Sequence, residues 1–337
     1  MEAIRVEGLN KTFRTKVKAE GLRQSARALL RPTWRDIAAV RDICFTVEPG
    51  EVLAFIGPNG AGKSTTIKML TGILHPTSGS IDVLGYNPQR DRAKLSYHIG
   101  TVFGQKSQLW FHLPPMDSFR LLASIYDLKP AQYQDRLDML IQRFELGSFL
   151  DQPVRKLSLG QRVRCEVAAS LLHRPKVIFL DEPTIGLDVV VKQSIRQLIT
   201  ELNREEGVTI FLTSHDAGDI EQLCRRAMVI DHGTVVLDQP VKRLKYDYLN
   251  RKVIAVRYSD AMSLPAIEGV QVAKAAGNAA RLVVDTRTTN IGEVLQAVSA
   301  AGAVADITIS DPPMEEIIGE IFRREGGSPP CSTDANT

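Results

Sequence analysis

At 337 residues, with 44% hydrophobic and 24% charged side chains, the chain can bury a large core and reads as one large globular domain plus a smaller one. No apolar run approaches the ~18 residues that span a bilayer. Glu2 and Arg5 argue against a signal peptide, so a role at a membrane would need a partner that crosses it. The net charge is only +3, but residues 14–36 carry seven cations (Arg14, Lys16, Lys18, Arg23, Arg27, Arg31, Arg35) against Glu20 and Asp36, which leaves the remainder near neutral. The four cysteines, at positions 44, 165, 224 and 331, have no metal-ligand spacing.

Residues 4–9 alternate apolar and polar side chains, as a half-buried strand does, and Phe13 follows closely. In the basic segment Leu22, Ala26, Leu29 and Leu30 fall on one helical face, with Arg23, Arg27 and Arg31 beside it, and Pro32 should end that helix. Such a segment is either a solvated helix or a surface for anionic lipid heads or a membrane partner. Nucleic acid is the weaker option, since only Trp34 offers a stacking ring there. Residues 40–56 read as two strands joined by the turn Glu48-Pro49-Gly50-Glu51.

The run Gly57-Pro58-Asn59-Gly60-Ala61-Gly62-Lys63-Ser64-Thr65 then matches the phosphate-loop pattern G-x-x-x-x-G-K-[ST] at every fixed position. Its context is the required one: residues 52–56 read as a buried strand and residues 66–70 as a helix start. Glycines at 57, 60 and 62 let successive N–H groups curl around phosphate oxygens. Lys63 would reach the outer phosphates, the Ser64 hydroxyl would bind magnesium, and the helix N-terminus favours the anion. A nucleoside triphosphate is therefore expected here.

Further along, residues 99–103 form a β-rich run ending at Gly104-Gln105, and residues 116–150 read as mainly helical, with Leu121, Leu122, Ile125, Leu137, Leu140, Ile141 and Phe144 as apolar positions. Trp110 and Phe111 read either as core or as anchors for a partner's helix. Residues 177–180 form a short buried strand that runs into Asp181-Glu182. Asp181 can hold the magnesium shell and Glu182 can polarise a water, although two acids after a strand could equally cap a helix. A strand over residues 208–213 ends at Ser214-His215. This alternation implies a parallel sheet covered by helices on both faces. Beyond Pro240, strands over 252–258, 269–275, 281–285 and 303–309 and a helix over 291–301 predict a small α+β unit. From residue 326 on, Gly, Ser, Pro and Thr predict a disordered tail.

Taken together, these residues resemble the ATP-binding subunit of ABC transporters over roughly residues 2–240. Leu157-Ser158-Leu159-Gly160-Gln161 is similar to that family's signature motif, with Leu159 where a second glycine is usual. Thr184-Ile185-Gly186-Leu187-Asp188 resembles the segment that crosses the dimer interface, and Thr213-Ser214-His215-Asp216 the switch-histidine loop. Gly104-Gln105 resembles the glutamine loop, with Gln108 as a rival. Phe13 stands where the family places a ring against adenine, in place of the commoner tyrosine.

The resemblance implies an α/β P-loop ATPase with a mainly parallel sheet, an antiparallel β subdomain and a helical subdomain over about residues 106–165. It places the ATP-binding domain at 1–240, with the basic insertion at 14–36, an accessory α+β domain at 241–325 and a tail at 326–337. Glu182, His215 and Gln105 are implied as catalytic residues, and residues 57–65 with Phe13 as the nucleotide site. Ser64, Gln105 and Asp181 are implied as Mg²⁺ ligands. Ser158, Leu159, Gly160 and Gln161 would serve the partner's ATP, with Gly186, Leu187 and Asp188 at the dimer contact. The wording of residues 103–110, the insertion and the appendage are similar to bacterial ABC-2-type exporter ATPases.

The function so implied is ATP hydrolysis by a head-to-tail homodimer that powers a separate membrane permease at the cytoplasmic face of the inner membrane. A soluble ABC ATPase acting on nucleic acid or the ribosome is the alternative. Only about 95 residues separate loop and signature, without the sustained heptads of chromosome-maintenance relatives, and one cassette is present rather than two. A regulator that binds without hydrolysing is opposed by Glu182 and His215.

Overall fold

The computed structural model describes residues 2–16, 34–104, 107–214, 216–248, 251–260 and 267–312, together with Ile317 and Ile321. Two compact units meet in the chain at Asp238 and Gln239, the second running to Gly326.

The first unit holds β1 (Ile4–Lys16), β2 (Trp34–Val47), β3 (Val52–Ile56), α1 (Lys63–Leu70), β4 (Ser78–Val83), α2 (Arg92–Ser96) and β5 (Ile99–Phe103). It continues with α3 (Pro115–Ile125), α4 (Pro130–Arg143), α5 (Leu159–Leu171), β6 (Val177–Asp181), α6 (Val189–Glu206), β7 (Thr209–Thr213), α7 (Ala217–Leu223), β8 (Arg226–Asp231) and β9 (Thr234–Pro240), whose last two residues fall past the boundary between the units.

Six strands form the central sheet in the order β5-β6-β7-β3-β8-β9, and the pairs β5–β6, β6–β7, β7–β3 and β3–β8 are parallel. Every residue of β3 and β7 is buried, which is why β3 reads as an unbroken apolar run and β7 as three apolar residues between two threonines, neither of them alternating. The rings of Phe45, Phe55, Phe179 and Phe211 pack with centroids 5.3–6.1 Å apart in the core that joins this sheet to the next. Each such ring contributes about 1.5–3 kcal/mol of burial. The topology matters for the site. Parallel strands put the C-terminal tips of β3, β6 and β7 on one edge, and β7 lies between the other two.

A second sheet, β2-β1-β4, is antiparallel. Here the structure corrects two boundaries. The first strand runs to Lys16 instead of stopping at Leu9, and the second begins at Trp34 instead of Val40. Arg14, Thr15 and Lys16 pair with Asp36, Arg35 and Trp34, so both ends of the basic segment form a two-stranded ribbon. The helix read over Leu22 to Arg31 lies outside the described residues. Among the helical positions, Leu122, Leu137, Leu140 and Phe144 are buried as their spacing predicts, whereas Leu121 and Ile125 are exposed, as are Trp110 and Phe111.

The second unit contains α8 (Val241–Tyr248), β10 (Arg251–Tyr258), β11 (Val270–Ala276), β12 (Ala279–Asp285), α9 (Ile291–Ala300) and β13 (Val304–Ser310). Its sheet, β11-β12-β10-β13, is antiparallel throughout. Val294 and Val298 of α9 cover one face, packing on Ile254, Val256, Leu282 and Val284, and the Tyr258 hydroxyl donates to Val298 O at 2.9 Å. The predicted tail lies outside the described residues. No helix of the described residues is long and apolar enough to cross a membrane.

Candidate functional site

Residues 57–65 link the tip of β3 to the first turn of α1. Gly60 and Gly62 adopt φ of +85° and +110°, which disfavours any side chain bearing a Cβ. A Cβ on Gly57 would lie 2.2 Å from Ile230 O, and one on Gly62 would lie 2.5 Å from Ala39 O. These two glycines are therefore fixed by close backbone approach on the protein side of the loop. Gly60 meets nothing within 4 Å and faces open space. Asn59 and Ser64 are exposed, Pro58 and Thr65 are half-buried, and Ala61 is buried. The loop is closed by Ala61 N–H donating to Pro58 O (3.1 Å) and Thr66 N–H donating to Gly62 O (2.9 Å).

Lys63 is the buried cation of the site. Its Nζ donates to Gly57 O at 2.6 Å and Pro58 O at 3.2 Å, and lies 3.9 Å from Glu182 Oε1. Burial lowers its pKa, and the Glu182 and Asp181 carboxylates oppose that shift. Asp181 ends β6, and its Oδ1 accepts from the Thr213 hydroxyl of β7 at 2.7 Å. Glu182 N–H donates to both Thr213 O and Thr213 Oγ1 at 3.1 Å. Glu182 sits at φ +55°, a left-handed conformation unusual for a residue with a long side chain. The backbone thus turns sharply at the strand tip and carries the second carboxylate to Lys63 rather than along the strand.

The signature segment caps a helix. Ser158 Oγ accepts from Gln161 N–H (3.2 Å) while Gln161 Oε1 accepts from Ser158 N–H (2.9 Å), a capping box at the start of α5. Ser158 and Leu159 are exposed. Gly160 is buried, and a Cβ there would stand 2.8 Å from Val191 Cγ1, so this glycine sets the approach of α5 to α6. Asp188 caps α6 by accepting from Val191 N–H at 2.9 Å, Leu187 is buried, and Gly186 takes φ +74°. Gln105 and His215 lie outside the described residues. The rival Gln108 donates its backbone N–H to the buried Glu166 at 3.0 Å, and Ser107 donates its hydroxyl to the same carboxylate. Burial pushes the Glu166 pKa up, against the lowering effect of these donors. Phe13 is paired with Ile37 on the ribbon and is exposed, with Lys11 Nζ 5.2 Å from its ring centroid.

Sequence reasoning missed a polar cluster behind these loops. Asp219 of α7 is fully buried and accepts from the Thr184 and Ser214 hydroxyls and from Arg196 of α6. Its signal was an acid one helical turn past His215, too short a pattern to stand out from a solvated helix face. No group of three His, Cys, Asp or Glu side chains suited to a metal occurs among the described residues. Mg²⁺ does not need one, because it takes few protein oxygens and keeps water or phosphate for the rest. Asp181 and Ser64 are oxygen donors of that kind.

A glycine loop, a buried lysine and a carboxylate pair at neighbouring tips of a parallel sheet define a P-loop nucleotide-hydrolysing cassette. Residues 40–185 match the family model described as ABC transporter. The ABC transporter ATP-binding protein NatA of Bacillus subtilis (strain 168) is 32% identical over 59% of this chain and 81% of its own. The bacitracin transport ATP-binding protein BcrA of Bacillus licheniformis is 33% identical over 66% of this chain and 71% of its own. The solved structure of cbiO1 from Clostridium perfringens, described as part of the ABC transporter complex cbiONQ, superposes with a TM-score of 0.60 at 28% identity, covering 73% of this chain and 91% of that one. The chain belongs to the ABC transporter ATP-binding proteins and is an ATPase subunit of that family, whose members work with membrane permeases.

Proposed function

We propose that this protein is the motor of an exporter: two copies close head to tail over two ATP molecules and drive a separate permease at the cytoplasmic face of the membrane. The observation that supports the ATP-hydrolysing part of this reading is the placement of the Glu182 and Asp181 carboxylates against Lys63 of the 57–65 loop, with Glu182 Oε1 3.9 Å from Lys63 Nζ. Lys63 would release its two loop carbonyls to meet the β- and γ-phosphates, and Phe13 would stack on adenine. Mg²⁺, held by Ser64, Asp181 and Gln105, would neutralise phosphate charge. Glu182 would take a proton from the attacking water, and His215 would hold the γ-phosphate. Ser158, Gly160 and Gln161, with Leu159, would contact the ATP bound by the partner copy, and residues 186–188 would line the contact between copies.

Export is supported by the resemblance to ABC-2-type ATPases, and a transport role by the likeness to BcrA, which is named for bacitracin transport. Trp110, Phe111, Leu121 and Ile125 are each exposed and would be apolar contacts for a permease. The seven cations of residues 14–36 would suit anionic lipid; a nucleic-acid role has less support.

The test is Glu182→Gln. The amide keeps the size of the side chain but cannot act as a base, so ATP binding should persist while turnover falls by about 10²–10⁴-fold, the usual contribution of a general base. Purified protein is assayed for phosphate release and, on a sizing column, for a dimer that persists only with ATP. Turnover near the parent rate would remove Glu182 from the mechanism.

A further inference from the structure

The segment after Glu182 and the segment bearing His215 come from different strands, yet one buried carboxylate ties them together. Asp219 Oδ2 accepts from Thr184 Oγ1 at 2.5 Å and from Ser214 Oγ at 2.6 Å, while Asp219 Oδ1 accepts from Arg196 Nε at 2.7 Å. Thr184 is two residues past Glu182 and Ser214 directly precedes position 215. Ser214 Oγ also accepts from Asp216 N–H at 2.9 Å, so a side-chain bond spans position 215 from one side to the other. Arg196 extends the tie by donating from Nη2 to Asp216 Oδ1 at 2.7 Å. Gly218 leaves the guanidinium its space, since a Cβ there would lie 2.8 Å from Nη2.

A fully buried charge is costly unless paired and hydrogen-bonded, and Asp219 at 0% exposure has both kinds of partner. A salt bridge to Arg196 alone would serve packing. Two additional hydroxyl donors on one oxygen, each from a loop at a different strand tip, make a joint whose two arms cannot shift independently without leaving that oxygen short of donors. We infer that Asp219, held by Arg196, is a positioning residue that couples the Thr184 segment to the residue-215 segment, so that Glu182 and His215 reach ATP in one fixed relation. The inference rests on the hydrolytic roles proposed for those two residues.

The test uses Thr184→Val and Ser214→Ala, which delete one hydroxyl each and leave the Asp219–Arg196 pair in place, together with the double variant and Thr184→Ser. Each deletion should lower the ATPase rate at saturating ATP by about ten- to a hundredfold, the scale of a small misplacement of reacting groups. Affinity for a fluorescent non-hydrolysable ATP analogue should change by less than about twofold, a loss in kcat rather than in binding. Because both hydroxyls act through one oxygen, the double variant should be no slower than the worse single one. Thr184→Ser should recover the rate.

A purely structural role would instead lower the thermal midpoint and the nucleotide affinity in step with the rate, with additive effects. That pattern, or full activity of both single variants beside an inactive Glu182→Gln, would overturn the inference and spare the reading of the site. Normal hydrolysis by Glu182→Gln would overturn both.

Discussion

Lys63 shows how one residue's environment encodes its task. A buried ammonium that donates to two loop carbonyls, Gly57 O and Pro58 O, is held in place before any phosphate arrives. Burial lowers its pKa from the ordinary value of 10.5, so the unfolded chain binds more protons than the folded one between the lowered value and 10.5. Stability follows the difference in bound protons and rises with pH wherever the unfolded state holds more. The nucleotide-free protein should therefore gain stability as pH climbs through that window, and Lys63→Met, which cannot titrate, should lose that part of the slope. Thermal midpoints of both proteins from neutral pH up to 10.5 measure it, and parallel curves would rule the depressed lysine out. With ATP present the phosphates supply a counter-charge, so the slope should flatten in the parent protein and stay unchanged in Lys63→Met. Glu182 shows the limit of reading residues from a pattern. Its place after a buried strand was legible, but its φ of +55°, which turns the carboxylate toward Lys63, depends on Thr213 of another strand.

Elements repeat that lesson on a larger scale. The central strands were legible because burial on both faces leaves short apolar runs, and the helix of the phosphate loop because its glycines and lysine have fixed spacing. The ribbon was not. Arg14 to Lys16 and Trp34 to Asp36 carry neither apolar alternation nor a turn signal, and they become strand only by pairing with each other. Gly160 is a related case. Within the signature it reads as a phosphate contact, yet in the folded chain it is also where α5 approaches α6, with Val191 Cγ1 2.8 Å from any Cβ placed there. Gly160→Ala should accordingly destabilise the protein by about 1–3 kcal/mol through overpacking. Trimming the opposing side chain in Gly160→Ala/Val191→Ala should return most of that stability in urea unfolding. If stability returns and ATPase activity does not, the glycine has a second role toward the partner's nucleotide. If Gly160→Ala costs nothing, the helix approach is looser than the geometry states.

At the scale of the molecule, charge is the unbalanced quantity. Seven cations between residues 14 and 36 gain little from a chain that is otherwise near neutral, and the ribbon at the ends of that stretch stacks Arg14 and Lys16 5.3 Å from the ring of Trp34. An exposed indole flanked by cations suits the interface of an anionic bilayer, where rings sit at headgroup level and each basic residue gains about 1 kcal/mol. Trp34 is also a usable reporter, because the chain has only two tryptophans. In a Trp110→Phe background, vesicles containing phosphatidylglycerol should shift Trp34 emission to the blue, and neutral phosphatidylcholine vesicles should not. Salt at about 1 M shortens the Debye length to ~3 Å and should abolish the shift. Replacing Arg23, Arg27 and Arg31 together by Gln should weaken vesicle binding while leaving the ATPase rate of the subunit unchanged, since none of the three is among the residues proposed for the nucleotide site. A shift with single-stranded oligonucleotide but none with vesicles would move this surface from lipid to nucleic acid. No shift with either would leave residues 14–36 a solvated face, and the permease alone would then hold the subunit at the membrane.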